Sequence, residues 1–139
     1  MNQPSKPDNF KMRVPSTRTP FSAELERSEQ FVVFKLHGDL DVDGAQVLRN
    51  IYESRILDSD LYIVFDMSDV LYINSAGVGA IVALSKATQA RNGRLFLINT
   101  PDKIRNIFQI TDLDSRLAFI DSLEKAHKII SGKEHPESD

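Results

Sequence analysis

Ser75 is the side chain whose surroundings most favour chemistry, because the segment 74–79 (Asn-Ser-Ala-Gly-Val-Gly) gives its hydroxyl mostly small neighbours. An apolar run ends just before this segment and another follows it, which is typical of a strand-to-helix turn. Serine is a preferred N-cap, so one interpretation is that Ser75 only caps the helix. The other is that Ser75 accepts a phosphate, since small neighbours leave room for a kinase and a helix N-terminus tolerates an added anion.

A hydrolytic role for Ser75 needs a histidine base that is oriented by a third group. The histidines of the chain are His37, His127 and His135. Only His37 ends an apolar run from which it could approach Ser75, and a single histidine at a strand end is usually structural. The turn also matches neither the G-x-S-x-G of hydrolases nor the G-x-x-x-x-G-K-[ST] of phosphate loops. We therefore expect no enzymatic activity and no cofactor.

Three acids, Asp39, Asp41 and Asp43, follow the first strongly apolar run. Such carboxylates can hold a cation, but nothing in the spacing sets a coordination geometry, and a solvated loop is the simpler interpretation. The chain has no cysteine, which excludes disulfides and thiolate-bound metals. The sequence therefore predicts no metal site.

Charge is distributed unevenly along the 139 residues, which carry a net charge of −3. Residues 1–20 contain four basic side chains and a single acid, Asp8. They are also rich in Pro, Ser and Thr, which is typical of disorder, so they are predicted to form a disordered arm, and a binding arm is the alternative. The remainder is therefore acidic, which argues against direct nucleic-acid binding. No apolar run approaches the roughly 20 residues that span a bilayer, and the N-terminus lacks a signal-peptide pattern. We expect a cytoplasmic protein without a transmembrane segment.

Apolar runs of strand length alternate with segments of helical periodicity through residues 21–131, and a polar tail follows at 132–139. Strands are predicted at 21–27, 31–38, 61–67, 94–99 and 115–120, and helices at 44–58, 76–91, 101–110 and 121–130. Asp43 and Thr100 are the predicted N-caps of the first and third helices, and 68–73 is a predicted connector. The β-β-α-β-α-β-α-β-α order predicts an α/β fold. Its sheet has four to five strands and is mixed but mostly parallel, with about four helices packed chiefly on one face.

Four segments carry a resemblance to a known family: LHGDLDVDGAQVL (36–48), LYIVFDMSDVLYINSAGVGAIVAL (61–84), GRLFLIN (93–99) and IRNIFQITDLDSRL (104–117). Together they resemble a STAS domain of the bacterial anti-sigma factor antagonist type, over about residues 21–130. The most specific piece is the turn at 74–79, which is similar to the family's Asp-Ser-Ser/Thr-Gly-Leu/Val-Gly turn.

The resemblance implies a regulatory protein that exchanges partners and has no catalytic activity of its own. Ser75 stands at the family's phosphoacceptor position, and the Gly-Asp-Leu-Asp segment at 38–41 looks like the family's partner-binding edge. One implied partner is an ATP-binding anti-sigma factor with serine-kinase activity, bound when Ser75 is unphosphorylated and released on its phosphorylation. The other is a serine/threonine phosphatase of the metal-dependent class. The implied partner-binding residues are Asp39, Asp41, Asn74, Ser75, Ala76, Gly77 and Val78.

Two positions of the turn differ from the family's pattern. Ala76 replaces the second serine or threonine, which leaves Ser75 as the single hydroxyl of the turn. Asn74 replaces the aspartate, so the position keeps its hydrogen-bonding capacity and loses its charge. Asn74 favours a second interpretation: a STAS binding module, or a subunit of a signalling or lipid-transport assembly, that is not phosphorylated.

Overall fold

A five-stranded sheet with four helices forms the part of the chain that the computed structural model describes, residues 19–132. The strands are β1 (Ser22–Arg27), β2 (Phe31–Leu40), β3 (Tyr62–Ile73), β4 (Arg94–Ile98) and β5 (Ala118–Ile120). The helices are α1 (Val42–Arg55), α2 (Ser75–Ala90), α3 (Asp102–Ile110) and α4 (Leu123–Ile130), and a short 3-10 turn covers Asp114–Arg116. This order of elements is the predicted one.

The strands lie in the order β1-β2-β3-β4-β5 across the sheet. The opening hairpin makes β1 antiparallel to β2, and the three remaining pairs are parallel. The predicted mixed, mostly parallel sheet is confirmed. Because β2 to β5 run in one direction, the helix starts that follow β2 and β3 meet at one edge of the sheet.

Both faces of the sheet are covered, but unequally. On one face, Leu48 of α1 and Ile81 of α2 share an apolar cluster with Phe65 of β3, and α3 joins the same cluster. On the other face, Ile129 of α4 belongs to a smaller cluster with Val64 of β3. Val64 and Phe65 are adjacent in sequence and serve opposite faces, as the two-residue period of a strand requires. Three helices therefore lie on one face and one on the other.

Strand β3 is longer than predicted, and the predicted connector at 68–73 is wrong. These residues continue to pair with β2, with Tyr72 opposite Asp39 and Ile73 opposite Leu40. Two register shifts occur along this pairing. Such bulges interrupt the regular alternation of buried and exposed positions, and that alternation is the sequence signal for a strand.

Two predicted helix caps are also wrong by one or two residues. Asp41, and not Asp43, caps α1, since its Oδ1 accepts the backbone N–H of Gly44 at 2.9 Å. Helix α3 follows Pro101 directly, and the side chain of Thr100 forms no capping hydrogen bond. Acids and hydroxyls crowd both starts, so composition alone does not select the residue with the capping geometry.

The described residues begin at Thr19, inside the segment 1–20 that was predicted as an arm. The carbonyl of Thr19 accepts the N–H of Asp39 at 3.0 Å, and the N–H of Thr19 donates to Asp39 Oδ2 at 3.1 Å. Residues 1–18 of the predicted arm and 133–139 of the predicted tail lie outside the described residues. Within the described part, no helix combines the length and apolarity needed to cross a membrane.

Candidate functional site

The starts of α1 and α2 lie side by side at the C-terminal edge of the parallel strands. Each helix follows one of two neighbouring strands, whose last residues, Leu40 and Ile73, pair in register. The backbone N–H of Asn74 donates to the carbonyl of Leu40 at 3.3 Å. This bond places the segment 38–41 directly against the turn 74–79.

Asn74, and not Ser75, is the N-cap of α2. Its Oδ1 accepts the backbone N–H of Ala76 at 3.0 Å and that of Gly77 at 3.3 Å. Its carbonyl accepts the N–H of Val78 at 3.0 Å. The predicted capping role of Ser75 is wrong by one residue, because asparagine and serine are comparable N-caps and the sequence offers them in succession.

Ser75 is the first residue of α2 and is exposed. Its hydroxyl forms no hydrogen bond with any described residue. The first turn of α2 contains no acidic residue, so an anion attached to Ser75 meets the positive end of the helix without repulsion from that turn. The geometry therefore offers an accessible hydroxyl at a position that accommodates a phosphate.

Glycines allow both helix starts to press against the end of β2. A Cβ at Gly77 would overlap the carbonyl oxygen of Leu40, and one at Gly44 would overlap the carbonyl oxygen of Asp39. Gly79 differs, because a Cβ there would meet open space. It lies one helical turn after Ser75 on the same face of α2 and leaves the surface beside the hydroxyl flat.

The other residues of the turn differ in what they can present to a partner. Val78 is 1% exposed and packs in the core beneath α2, and Gly77 is also buried. Asn74 and Ala76 are half-buried. The turn therefore presents Ser75 most openly, while Val78 and Gly77 hold the helix in place.

Asp39 and Asp41 are each only 8% exposed. Asp39 Oδ2 accepts the N–H of Thr19, and Asp41 Oδ1 accepts the N–H of Gly44. Both carboxylates thus stabilise backbone at the edge of the serine turn, and they bring negative charge to it. No three histidine, aspartate or glutamate side chains converge as metal ligands within residues 19–132.

Large apolar side chains remain exposed around the turn. Tyr72, two residues before Asn74, is 50% exposed, and Val42, the first residue of α1, is 67% exposed. Val42 and Ser75 hold equivalent positions at the starts of neighbouring helices. We call Val42, Tyr72, Ser75 and Gly79 the serine surface. Exposed apolar groups of this kind mark protein-binding surfaces. The sequence did not identify Tyr72, because it lies in the segment predicted as a connector, or Val42, because it lies between two acidic residues.

Neither described histidine is hydrogen bonded to Ser75. His37 Nδ1 lies 3.1 Å from Asp69 Oδ2. His127 packs edge-on against Phe31, with ring centroids 4.6 Å apart. His135 lies outside the described residues. Among the described residues, Ser75 thus has no histidine base of the kind that a hydrolytic mechanism uses.

Comparison with known proteins places this geometry in a family. The family model of the STAS domain matches residues 22–126. The anti-sigma-B factor antagonist of Staphylococcus aureus (strain NCTC 8325 / PS 47) is 28% identical over 90 residues, which cover 65% of this chain and 83% of the relative.

Two solved structures share the fold. The anti-sigma factor antagonist SpoIIAA in its unphosphorylated form matches with a TM-score of 0.66 at 24% identity, over 80% of this chain and 97% of that chain. The Bacillus cell fate determinant SpoIIAA in the phosphorylated form matches with a TM-score of 0.60 at 23% identity, over 78% of this chain and 99% of that chain. With its family match spanning most of the described residues, the chain belongs to the STAS domain family.

Proposed function

We propose that this STAS domain is an anti-sigma factor antagonist whose binding is switched by phosphorylation of Ser75. The observation that carries the proposal is the exposed Ser75 hydroxyl of the serine surface, which no described residue engages. A relative named anti-sigma-B factor antagonist supports this class of partner. A protein of the same fold has been solved in a phosphorylated form, which supports the chemistry of the switch.

Phosphorylation would change the charge of the serine surface without unfolding the helix behind it. A phosphate adds about −1.5 to −2 charges at neutral pH. The N-terminus of α2 accommodates this charge, while Asp41 and Asp43 already make the neighbouring start of α1 acidic. A partner that packs on Val42 and Tyr72 would have to desolvate the new anion.

The energy of this mismatch is sufficient for release. Juxtaposed like charges at an interface cost on the order of several kcal/mol. About 1.4 kcal/mol corresponds to a tenfold change in affinity. A micromolar complex therefore dissociates when its binding free energy is weakened by several kcal/mol.

The partner in this proposal is an anti-sigma factor that is also an ATP-dependent serine kinase. Bound to this protein, it leaves its sigma factor free. It transfers the γ-phosphate of ATP to Ser75 Oγ, the hydroxyl proton is lost, and ADP is formed. A serine/threonine phosphatase of the metal-dependent class then hydrolyses the phosphoserine and restores binding. The chain contributes an acceptor and a docking surface but no catalysis, and we place the cycle in the cytoplasm, where ATP is supplied.

Three variants separate the switch from folding. Ser75→Ala removes the acceptor, Ser75→Asp adds a permanent charge, and Ser54→Ala changes an exposed serine of α1 as a matched control. The partner is captured from a lysate of the host with Ser75→Ala as bait, identified by mass spectrometry and then purified. We expect ATP and Mg²⁺ to release wild type and Ser54→Ala from it, but not Ser75→Ala. Ser75→Asp should bind at least about a hundredfold more weakly while it melts like wild type.

Two results would oppose the proposal. Intact-mass spectra that show no phosphate on Ser75 after incubation with the partner and ATP would remove the acceptor role. Wild-type affinity of Ser75→Asp would remove the charge switch. Either result would leave the second interpretation, a STAS binding module that phosphate does not control.

A further inference from the structure

A groove lined by three arginines lies between α2 and α3, above β4 and β5. Its volume is about 520 Å³, within the range of small-molecule sites. The arginines are Arg94, Arg105 and Arg116, and Ser85 and Gln89 of α2 also line it. No acidic residue is part of its described lining. The groove therefore concentrates positive charge in a protein whose net charge is negative.

The three guanidinium groups have no polar side-chain partner among the described residues. Within residues 19–132, none of them forms a side-chain hydrogen bond or an ion pair. Arg94 lies over the ring of Phe96 at 5.4 Å, and Arg105 lies over the ring of Phe119 at 4.0 Å. The Nε–H of Arg105 is buried and has no hydrogen-bond partner. A buried donor without an acceptor costs free energy, so an acceptor from outside the chain would stabilise this arrangement.

Two other arginines of the protein, Arg27 and Arg91, are paired with polar groups of the fold. Arg27 Nη1 donates to Asp60 Oδ1 at 2.6 Å. Arg91 donates to the carbonyl of Asp60 at 2.8 Å and to the hydroxyl of Tyr52 at 2.7 Å. Like charges placed together without such partners repel one another. An anion in the groove would remove this repulsion.

We propose that this groove binds a small organic molecule that carries at least two phosphate groups. A guanidinium group offers parallel N–H donors that match the oxygens of a phosphate. One phosphate monoester carries only about −1.5 to −2 charges, so two phosphoryl groups match three arginines better than one. The apolar floor, which includes Leu95 and Ala118, suits the organic part of such a molecule.

The groove is separate from the serine surface. Ser85 and Ser75 lie on the same helix, and their offset of ten positions corresponds to about 15 Å along the axis. The two sites share no residue. The groove can therefore bind its ligand whether or not Ser75 is a phosphoacceptor.

Isothermal titration calorimetry of the full chain tests the proposal with inorganic pyrophosphate, ADP, inorganic phosphate and adenosine. We expect saturable binding of pyrophosphate and ADP, at least about tenfold weaker binding of phosphate, and none of adenosine, because charge-assisted hydrogen bonds supply the affinity. Tighter binding of ADP than of pyrophosphate would identify a nucleotide as the ligand class. Equal binding of the two would support a different organic diphosphate.

Variants of single charges locate the binding. Arg105→Gln and Arg116→Gln should each weaken pyrophosphate binding by about tenfold or more, since each loses a charged donor. Lys103→Gln is the matched control, because Lys103 is an exposed cation of α3 that does not line the groove. It should change the affinity by less than about twofold, because the charges of exposed groups are screened by salt.

Several outcomes would overturn the proposal. One is the absence of saturable heat with both pyrophosphate and ADP. Another is an equal effect of Lys103→Gln and Arg105→Gln, which would show diffuse charge attraction. Binding of an oligoglutamate peptide in place of the phosphates would assign the groove to an acidic protein segment. Arg116 is exposed, so thermal melts of Arg116→Gln show whether any loss of binding occurs in folded protein.

Discussion

Asn74 and Ser75 divide two tasks at the start of α2. Asn74 stabilises the helix through its side-chain oxygen, which accepts two backbone N–H groups. Ser75 is left with an exposed hydroxyl that makes no hydrogen bond to a described residue. Chemistry at Ser75 can therefore proceed without loss of the cap. An asparagine caps as well as an aspartate does, so the fold does not need a charge at position 74.

This division predicts unequal losses of stability for two alanine variants. Asn74→Ala should lower the free energy of unfolding by about 0.5–2 kcal/mol, since both first-turn N–H groups lose their acceptor. Ser75→Ala should change it by less than about 0.5 kcal/mol, as is usual for an exposed position without partners. Urea denaturation followed by circular dichroism measures both.

Asn74→Asp serves as the control for that comparison. It keeps the capping oxygen and places a carboxylate at a helix N-terminus, which is favourable by about 0.3–1 kcal/mol. Equal destabilisation by Asn74→Ala and Ser75→Ala would show that the serine hydroxyl shares the capping, contrary to the geometry described above.

At the scale of the elements, every strand and α-helix was predicted from the sequence, but several of the predicted ends are wrong. The buried strands are near-continuous apolar runs because helices cover both faces of the sheet, and such runs are visible in a single sequence. The end of β3 depends instead on pairing between Tyr72 and Asp39 across a bulged register. Pairing partners that are far apart in sequence leave no local pattern, so the second half of β3 was missed.

The candidate site was predictable only in part, for the same reason. Ser75 could be singled out because its small neighbours are adjacent in sequence. The serine surface also needs Val42, which reaches it only because β2 and β3 are neighbours in the sheet. The arginine groove draws Arg94, Arg105 and Arg116 from β4, α3 and the 3-10 turn, and nothing in their spacing along the chain brings them together.

The side chain of Asp60 connects β1 to the loop after α1, at the opposite end of the sheet from Ser75. Its Oδ1 accepts from Arg27 of β1 at 2.6 Å, and its Oδ2 accepts the N–H of Leu57, which follows α1, at 2.7 Å. Burial alone would raise the pKa of Asp60. Hydrogen bonds from Arg27 and Leu57, together with the charges of Arg27 and Arg91, outweigh burial and hold this pKa below its ordinary value of 3.8.

The lowered pKa of Asp60 predicts a stability that depends on pH. The unfolded chain takes up the proton at a higher pH than the folded protein does, so the stabilisation is present above about pH 4 and is lost as the pH falls through the lower folded pKa. Asp60→Asn should therefore melt below wild type at pH 7, and this deficit should shrink at pH 3. Because Arg27 is 43% exposed and solvent screens the pair, we expect only about 0.2–1 kcal/mol at pH 7.

Asp58→Asn provides the matched control for Asp60→Asn. Asp58 is an exposed acid of the same loop. Its substitution should leave the melting temperature unchanged at both pH values. A deficit of Asp60→Asn that stays constant between pH 7 and pH 3 would show that protonation of Asp60 is not the cause.

At the scale of the whole molecule, the described apolar core is formed by one continuous segment of the chain. Both apolar clusters, on the two faces of the sheet, are built from residues between Phe21 and Ile130. Thr19 adds two hydrogen bonds to Asp39, one through each of its backbone polar groups. Asp39 is 8% exposed and lies beside the serine surface, so the bond from the Thr19 N–H to Oδ2 satisfies a buried carboxylate near the proposed binding site.

Two truncated chains test whether this segment accounts for the stability of the whole protein. Residues 19–132 should unfold cooperatively with the same midpoint in urea as the full chain, because they contain both apolar clusters and the Thr19–Asp39 pair. Residues 21–132 should also fold but lose about 0.5–1.5 kcal/mol for each missing hydrogen bond, with the larger share from the buried Asp39 carboxylate that is left without Thr19.

Asp39→Asn in residues 19–132 serves as the comparison, since it keeps an acceptor oxygen for the Thr19 N–H and removes the charge. If residues 21–132 are as stable as residues 19–132, Thr19 does not stabilise Asp39. If residues 19–132 melt well below the full chain, segments outside them contribute to the fold.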